Sequence, residues 1–215
     1  MKIKSHYIPK TKVTYVTEKT TIAEARHRLI ESGYRCIPVL DESETHFRGL
    51  IYKESTSDYI IDGVGSLTEP VTSLLKEQDS FINEETPFYQ ALFSIRRLPF
   101  LAVVNEQHVF LGILTHSKVM DIIEDSYGLK KGGYALTVST TEGKGSLRKL
   151  FAAIPDDYNI EGVFTQDAGK SFVRRIVITF NSVLTEKETD ALIYKIEHSG
   201  FKVADVENVK DHATH

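Results

Sequence analysis

Three short stretches of the chain carry groups suited to holding a small anion. "KVTY" sets Lys12 beside Val13, Thr14 and Tyr15, and "YRCIP" sets Tyr34, Arg35 and Cys36 ahead of Ile37 and Pro38. "THSK" places the hydroxyls of Thr115 and Ser117 next to His116 and Lys118. This last stretch follows the apolar run "GIL", which reads as a strand, so its hydroxyls stand where a helix begins and unpaired N–H groups attract phosphate. Lys12, Arg35 and Lys118 carry positive charge, and His116 carries it when protonated.

The elements that must position these groups come from an internal repeat. Residues 20–60, "TTIAEARHRLIESGYRCIPVLDESETHFRGLIYKESTSDYI", and 86–123, "TPFYQALFSIRRLPFLAVVNEQHVFLGILTHSKVMDII", follow one script. Each opens with a helix signal: a capping box from Thr21 to Glu24 before Ile22, Ala25, Leu29 and Ile30, and Thr86 with Pro87 before Phe88, Ala91, Leu92 and Ile95. An apolar strand follows ("CIPVL", "FLAVV"), then a polar turn, a second strand starting at Gly49 or Gly112, and a further helix. One β-α-β-β-α unit is too small to bury both faces of its sheet, so the two copies are expected to pack sheet against sheet, joined by 61–79.

From about Tyr134 the rhythm changes. "YALTVST" alternates like a strand, and "GSLRKLFAAIPDD" puts Leu147, Leu150, Phe151 and Ile154 on one helical face. Two strands joined by "DAGK" come next, then a helix opened by a Thr185–Glu188 capping box and stopped at Ser199 and Gly200, and a last strand, "FKVADVE". The order β-α-β-β-α-β is the ferredoxin-like motif. The Gly-rich Lys130–Gly133 stretch reads as a hinge, with a boundary near Gly132.

The 215 residues are 41% hydrophobic and 26% charged, as expected of a globular protein with a core. No apolar run nears the roughly 18 residues a membrane span needs, and "MKIKSHYIPK" lacks the apolar core of a signal peptide. With the single cysteine, Cys36, these features point to the cytoplasm and exclude a disulfide framework within the chain or a Cys-rich zinc site. A net charge of −4 and a pI near 6.1 argue against general nucleic-acid affinity. There is no G-x-S-x-G, Walker A, H-E-x-x-H or dinucleotide fingerprint, which argues against an enzyme. His212 and His215 read as a frayed tail, Arg96–Arg97 as a solvated helix end, and Arg174–Arg175 as a strand end or edge.

Over about residues 5–128, with "GYRCIPVLD", "GLIY", "GILT" and the helices before them, the chain resembles tandem CBS domains, a Bateman module. "KVTYV" at 12–16, "GYRCIPVLD" at 33–41 and "VFLGILTHSKV" at 109–119 are similar to small bacterial CBS proteins that bind cyclic di-AMP. The C-terminal region resembles an ACT domain, although "EGKGSL" lacks the usual acidic residue followed by proline and glycine, so dimerisation or signal relay is its expected role. The resemblance implies an α+β chain: a tandem CBS pair over 1–131 (repeats about 5–64 and 65–131), an ACT-like βαββαβ domain over 132–210, and a flexible tail over 211–215.

The same resemblance implies that Lys12–Tyr15, Tyr34–Pro38 and Thr115–Lys118 meet in one site. Main chain around Val13 and Cys36 would read an adenine edge, Tyr34, Ile37 and Pro38 would cover its faces, and the cations would face phosphate. The wider family often places aspartate where Lys118 stands, to accept from the free ribose of AMP or ATP. A lysine better fits a cyclic dinucleotide, whose 3′ oxygen is esterified and which carries two phosphodiester charges, though it could also face a triphosphate. A companion site of Tyr52, Ser55, Phe81 and Ala102 would be empty or weak, with no basic cluster around Tyr52. No cofactor is expected. The implied ligand is cyclic di-AMP, with AMP or ATP as the alternative, and the implied partners are a second copy in a homodimer and an unidentified target protein, with no membrane or nucleic acid. A ligand-independent structural adaptor is the other reading.

Overall fold

The computed structural model describes residues 2–131, 133–141, 144–167, 173–181 and 184–209. The expected boundary at Gly132, the "DAGK" turn beyond Asp167, Gly143 and the His212/His215 tail lie outside the described residues. The chain divides into two compact units, Met1–Met120 and Asp121–His215.

In the first unit the repeat is realised twice. The strand β1 (Ile8–Pro9) precedes copy one: β2 (Val16–Thr17), α1 (Ile22–Ser32), β3 (Cys36–Leu40), β4 (Phe47–Tyr52) and α2 (Lys53–Ile61). Copy two is β5 (Phe81–Asn83), α3 (Phe88–Ser94), β6 (Phe100–Val104), β7 (Phe110–Thr115) and α4 (His116–Ser126), the unit division falling inside α4. Thr21 caps α1 through the expected box with Glu24, and Gly33 ends it in the left-handed region at φ 71°. Ile22, Ala25 and Leu29 are fully buried, and burying the Ile22 and Leu29 side chains stabilises by about 1.5–3 kcal/mol each. Ile30, expected on the same face, is 50% exposed because it lies about 100° round the helix from Leu29.

Each copy pairs its first strand in parallel with the second and the second in antiparallel with the third, with a register shift at Val39/Leu40 and again at Val103/Val104. The copies then exchange edges. β1 pairs with β7 of the other copy, Pro9 opposite Gly112, and Lys76 in the connection pairs with Leu50 of β4 through two backbone hydrogen bonds of 2.8 and 3.0 Å. Each third strand starts two residues before the expected glycine, at Phe47 or Phe110, and the glycine inside it makes this possible: a Cβ on Gly112 would stand 2.0 Å from the Ile8 carbonyl oxygen, and one on Gly49 would stand 2.9 Å from that of Lys76. The sheets also meet at their hairpins, where the Phe110 N–H donates to the Thr45 carbonyl and the Phe47 and Phe110 rings stack at 6.4 Å. Cys36, Leu50 and Phe100 form one shared core cluster and Leu40, Ala102 and Phe110 another.

The hairpin of copy one is closed by Asp41, only 8% exposed. Its carboxylate accepts from the N–H groups of Thr45 and His46, from the Ser43 hydroxyl and from the His46 ring at 2.9 Å. Burial pulls its pKa up, but these donors outweigh that and hold it below the usual carboxylate range. Asn105 takes the same place in copy two, accepting from the Gln107 and Val109 N–H groups.

The second unit contains β8 (Tyr134–Thr141), α5 (Ser146–Ala153), β9 (Ile160–Asp167), β10 (Val173–Phe180), α6 (Glu186–His198) and β11 (Lys202–Asn208). Its antiparallel sheet has the order β11-β8-β10-β9, the ferredoxin-like arrangement the sequence pattern implies. Leu136, Val138, Ile176, Ile178 and Phe180 from the two central strands pack with Leu150, Ile154, Leu192 and Ile196 from the helices. Arg174 and Arg175 sit at the start of β10, an inner strand, so they mark a strand end and not an edge.

Replacing Gly112 by Ala is expected to lower the urea-unfolding free energy by at least about 2 kcal/mol, because alanine can neither fit nor adopt the φ of 159° without strain. Gly33→Ala, with open space around its Cβ, is expected to cost only about 1 kcal/mol. Asp41 has a depressed folded-state pKa, so its stabilisation is present above its unfolded pKa near 4 and is lost as the pH falls towards the folded value. Urea midpoints between pH 6 and pH 3 are expected to fall less steeply in Asp41→Asn than in the wild type.

Candidate functional site

Within the first unit a cavity of about 430 Å³ opens where the segment after β1, the start of β3 and the end of β7 approach one another. It follows from the edge exchange: pairing Ile8 with Ile113 carries the following residues alongside β7, and the turn Lys10–Lys12 then aims Lys12, Val13 and Thr14 at the start of β3. Ten of the thirteen expected residues line it: Lys12, Val13 and Thr14; Tyr34 with Arg35, Cys36, Ile37 and Pro38; and Thr115 with Ser117.

Three of the thirteen do not. The Tyr15 hydroxyl donates to Glu44 Oε2 at 2.6 Å, and its ring packs on the cluster of Leu40, Ala102 and Phe110. The His116 ring Nε2 donates to the Leu98 carbonyl at 2.7 Å and faces a different cavity. Lys118 gives its backbone N–H to Thr115 Oγ1 at 3.2 Å, and its exposed side chain is rotated about 100° round α4 from Ser117, which does face the cavity. The cations at the rim are therefore Lys12 and Arg35, both exposed.

Sequence reading missed Ile8, Pro99, Phe100 and Ile113, which complete the lining. The repeat register held the signal for two of them: Pro99 and Phe100 stand before and at the start of β6, where Arg35 and Cys36 stand for β3.

The floor is apolar, built from Cys36, Ile37, Pro38, Phe100 and Ile113, as suits the face of a flat ring. Burial, together with the nearby Glu77 carboxylate and against the Arg35 charge, pushes the Cys36 thiol up to about 12. It is a neutral, packed wall and not a nucleophile. The Thr115 hydroxyl already accepts from the Lys118 N–H, so its own proton is free to donate to an anion at the head of α4. No carboxylate stands among the described residues that line the cavity.

A second, wider cavity of about 920 Å³ shares Arg35 and Pro99 with the first. Here the expectation for Tyr52 is corrected. Its surroundings are basic, since Arg35, Lys53, Lys76, Arg96, Arg97 and His116 converge on this cavity from five separate segments. Phe81 and Ala102 do not line it, and buried Ser55 borders a third cavity of about 560 Å³. Among the described residues, no cluster of His, Cys, Asp and Glu has the make-up of a metal site, and no helix is long and apolar enough to cross a membrane.

Residues 4–60 match the family model of the CBS domain. A CBS domain-containing protein of unknown function from Bacillus anthracis is 30% identical, over 58% of this chain and 93% of its own, with a TM-score of 0.49. CbpB in complex with c-di-AMP matches at 20% identity and a TM-score of 0.53, covering 58% of this chain and 85% of that one. CBSX2 in complex with AMP matches at 19% identity and 0.50, covering 57% and 95%. No curated protein matches the chain. Residues 4–60 belong to the CBS-domain family, and the first unit has the fold of paired CBS domains.

With its pKa near 12, the Cys36 thiol at pH 8 is ionised in only about one molecule in ten thousand. Native protein is therefore expected to react with a maleimide or an aromatic disulfide many-fold more slowly than protein unfolded in urea. Comparable rates would show that the floor of the cavity is open.

Proposed function

We propose that the first unit is a nucleotide sensor that holds cyclic di-AMP in the smaller cavity and uses its occupancy to control a protein partner. The observation that carries this reading is the convergence of Lys12–Thr14, Tyr34–Pro38 and Thr115/Ser117 on one pocket with an apolar floor, a cationic rim and no carboxylate in its lining. An adenine would lie against Ile37, Pro38 and Phe100, and Arg35 and Lys12 would face phosphodiester charge together with the free hydroxyl protons. The missing carboxylate matters for selectivity. A free ribose diol finds no charged acceptor here, whereas an esterified ribose needs none, so the preference for a cyclic dinucleotide rests on the lining and not on Lys118. The solved complex of CbpB with c-di-AMP supports the ligand class. The complex of CBSX2 with AMP keeps a mononucleotide as the second reading, with ATP as its extended form.

The protein acts in this reading as a cytoplasmic homodimer without catalysis, and the ligand releases an unidentified target by preferring the conformation the target does not bind. The second unit serves dimerisation or relay as an ACT-like module.

Calorimetric titration with cyclic di-AMP is expected to give micromolar or tighter affinity, about −8 kcal/mol, exceeding that for AMP and ATP. Arg35→Ala is expected to weaken it at least tenfold, about 1.4 kcal/mol, with an unchanged unfolding midpoint. Neither heat nor thermal shift with any of the three nucleotides would leave the adaptor reading in its place.

A further inference from the structure

The third cavity, of about 560 Å³, carries the opposite charge to the other two. One face of α2 lines it with Ser55, Asp58, Tyr59 and Asp62, at helical spacing, and the connection to copy two adds Glu69 and the pair Leu74 and Leu75. Among the described residues no ion pair engages Asp58, Asp62 or Glu69. Glu69 accepts from the Ser66 N–H at 2.9 Å and from the Tyr59 hydroxyl at 3.0 Å, and these donors, the N–H first, hold its carboxyl below the usual carboxylate range. Lys76 is the one cation in the lining, and its ammonium lies 5.8 Å from the centre of the Tyr52 ring, which belongs to the wider cavity.

A row of acids on a helix is ordinarily a solvated face. Two observations set this one apart. Ser55 is 8% exposed, and its hydroxyl has no hydrogen-bond partner among the described residues, whereas buried polar groups are almost always paired. Leu74 and Leu75, both half-buried, give the same cavity an apolar wall that suits methylene groups better than water. The acids are also too dispersed for a single ion, since no group of His, Cys, Asp and Glu among the described residues has the make-up of a metal site. Asp58 and Asp62 stand one helical turn apart, with Cβ atoms about 5–6 Å from each other, a span that two ammonium groups on a short methylene chain can match.

We propose that this cavity is a site for an aliphatic polyamine. Ammonium groups pair with Asp58, Asp62 and Glu69, the methylenes between them lie on Leu74 and Leu75, and an N–H of the chain gives the Ser55 hydroxyl the partner it lacks. The site is independent of the nucleotide reading, which stands or falls on cyclic di-AMP alone.

The test is calorimetry on the full chain at one low ionic strength, with spermidine, putrescine and magnesium chloride as probes and with Asp58→Asn/Asp62→Asn and Ser55→Ala as variants. Spermidine is expected to bind the wild type at least tenfold more tightly than magnesium does, and at least tenfold more tightly than it binds the double variant. Putrescine, with one ammonium fewer, is expected to bind severalfold more weakly than spermidine. Ser55→Ala is expected to weaken spermidine severalfold and to leave magnesium unchanged. Urea midpoints equal to that of the wild type show that both variants fold, and saturating spermidine is expected to raise the midpoint of the wild type and not of the double variant. Magnesium binding as tight as that of spermidine reduces the acids to a solvated face and overturns the proposal. So does a spermidine affinity unchanged in the double variant or in Ser55→Ala, or no binding of spermidine at all.

Discussion

Two backbone contacts, Ile8–Pro9 against Ile113–Gly112 and Lys76 against Leu50, decide what the first unit is. Each ties a segment that precedes one copy of the repeat to a strand of the other copy, and each needs a residue without a Cβ. If either pairing were absent, the copies would be two small sheets, each with an exposed edge and an unfinished core. With both in place, Cys36 and Phe100 belong to one core cluster and Leu40, Ala102 and Phe110 to another, so neither copy can be moved without opening the other. The smaller cavity is a by-product of this exchange. The chain that leaves β1 must cross to α1 over the seam between the sheets, and it roofs the seam as it goes.

The repeat is symmetric in its backbone and asymmetric in its side chains, and the asymmetry separates the two cavities. Cys36 begins β3 opposite Tyr52 at the end of β4, and Phe100 begins β6 opposite Thr115 at the end of β7. Where copy two ends its strand on a short hydroxyl that leaves room beside α4, copy one ends on a tyrosine whose ring carries Lys76 at 5.8 Å and whose hydroxyl is bound to Glu77. Burial first, and then the Glu77 bond, raise the Tyr52 pKa, so the phenol stays protonated as a donor. One position is thus open and apolar-floored, and the other is occupied by its own side chain within a basic rim.

How far this was legible in the sequence depended on whether the signal was local. The capping boxes at Thr21 and Thr185, the apolar strands and the order of the last six elements rest on local signals and appear where the pattern puts them, whereas each third strand begins two residues before the glycine expected to open it. The exposed Ile30 escaped because four apolar residues at helical spacing do not say how wide the buried stripe is. At the site, backbone placement could be carried over from a resemblance, but side-chain direction could not. Tyr15 found Glu44, His116 found the Leu98 carbonyl, and Lys118 fell one helical step beyond the cavity that Ser117 faces. The basic cluster around Tyr52 was illegible for the opposite reason, since residues as far apart as 35, 53, 76 and 97 meet only once the edges are exchanged.

The sharing of Arg35 follows from its place in that exchange. It is the residue before β3, so its side chain leaves the sheet at the end where β4 gives way to α2 and where Pro99 enters β6, and both cavities open at that end. Its carbonyl accepts from the Lys53 N–H, which fixes the backbone and leaves the exposed guanidinium as the part that can turn. A lysine there would be a point charge on a flexible stem, able to satisfy one anion at a time. The planar fork of arginine presents several donors at fixed angles and can touch both sides at once. Among the described residues, Arg35 is the one charged side chain that lines both cavities, so a change in its direction alters the wall of each at once.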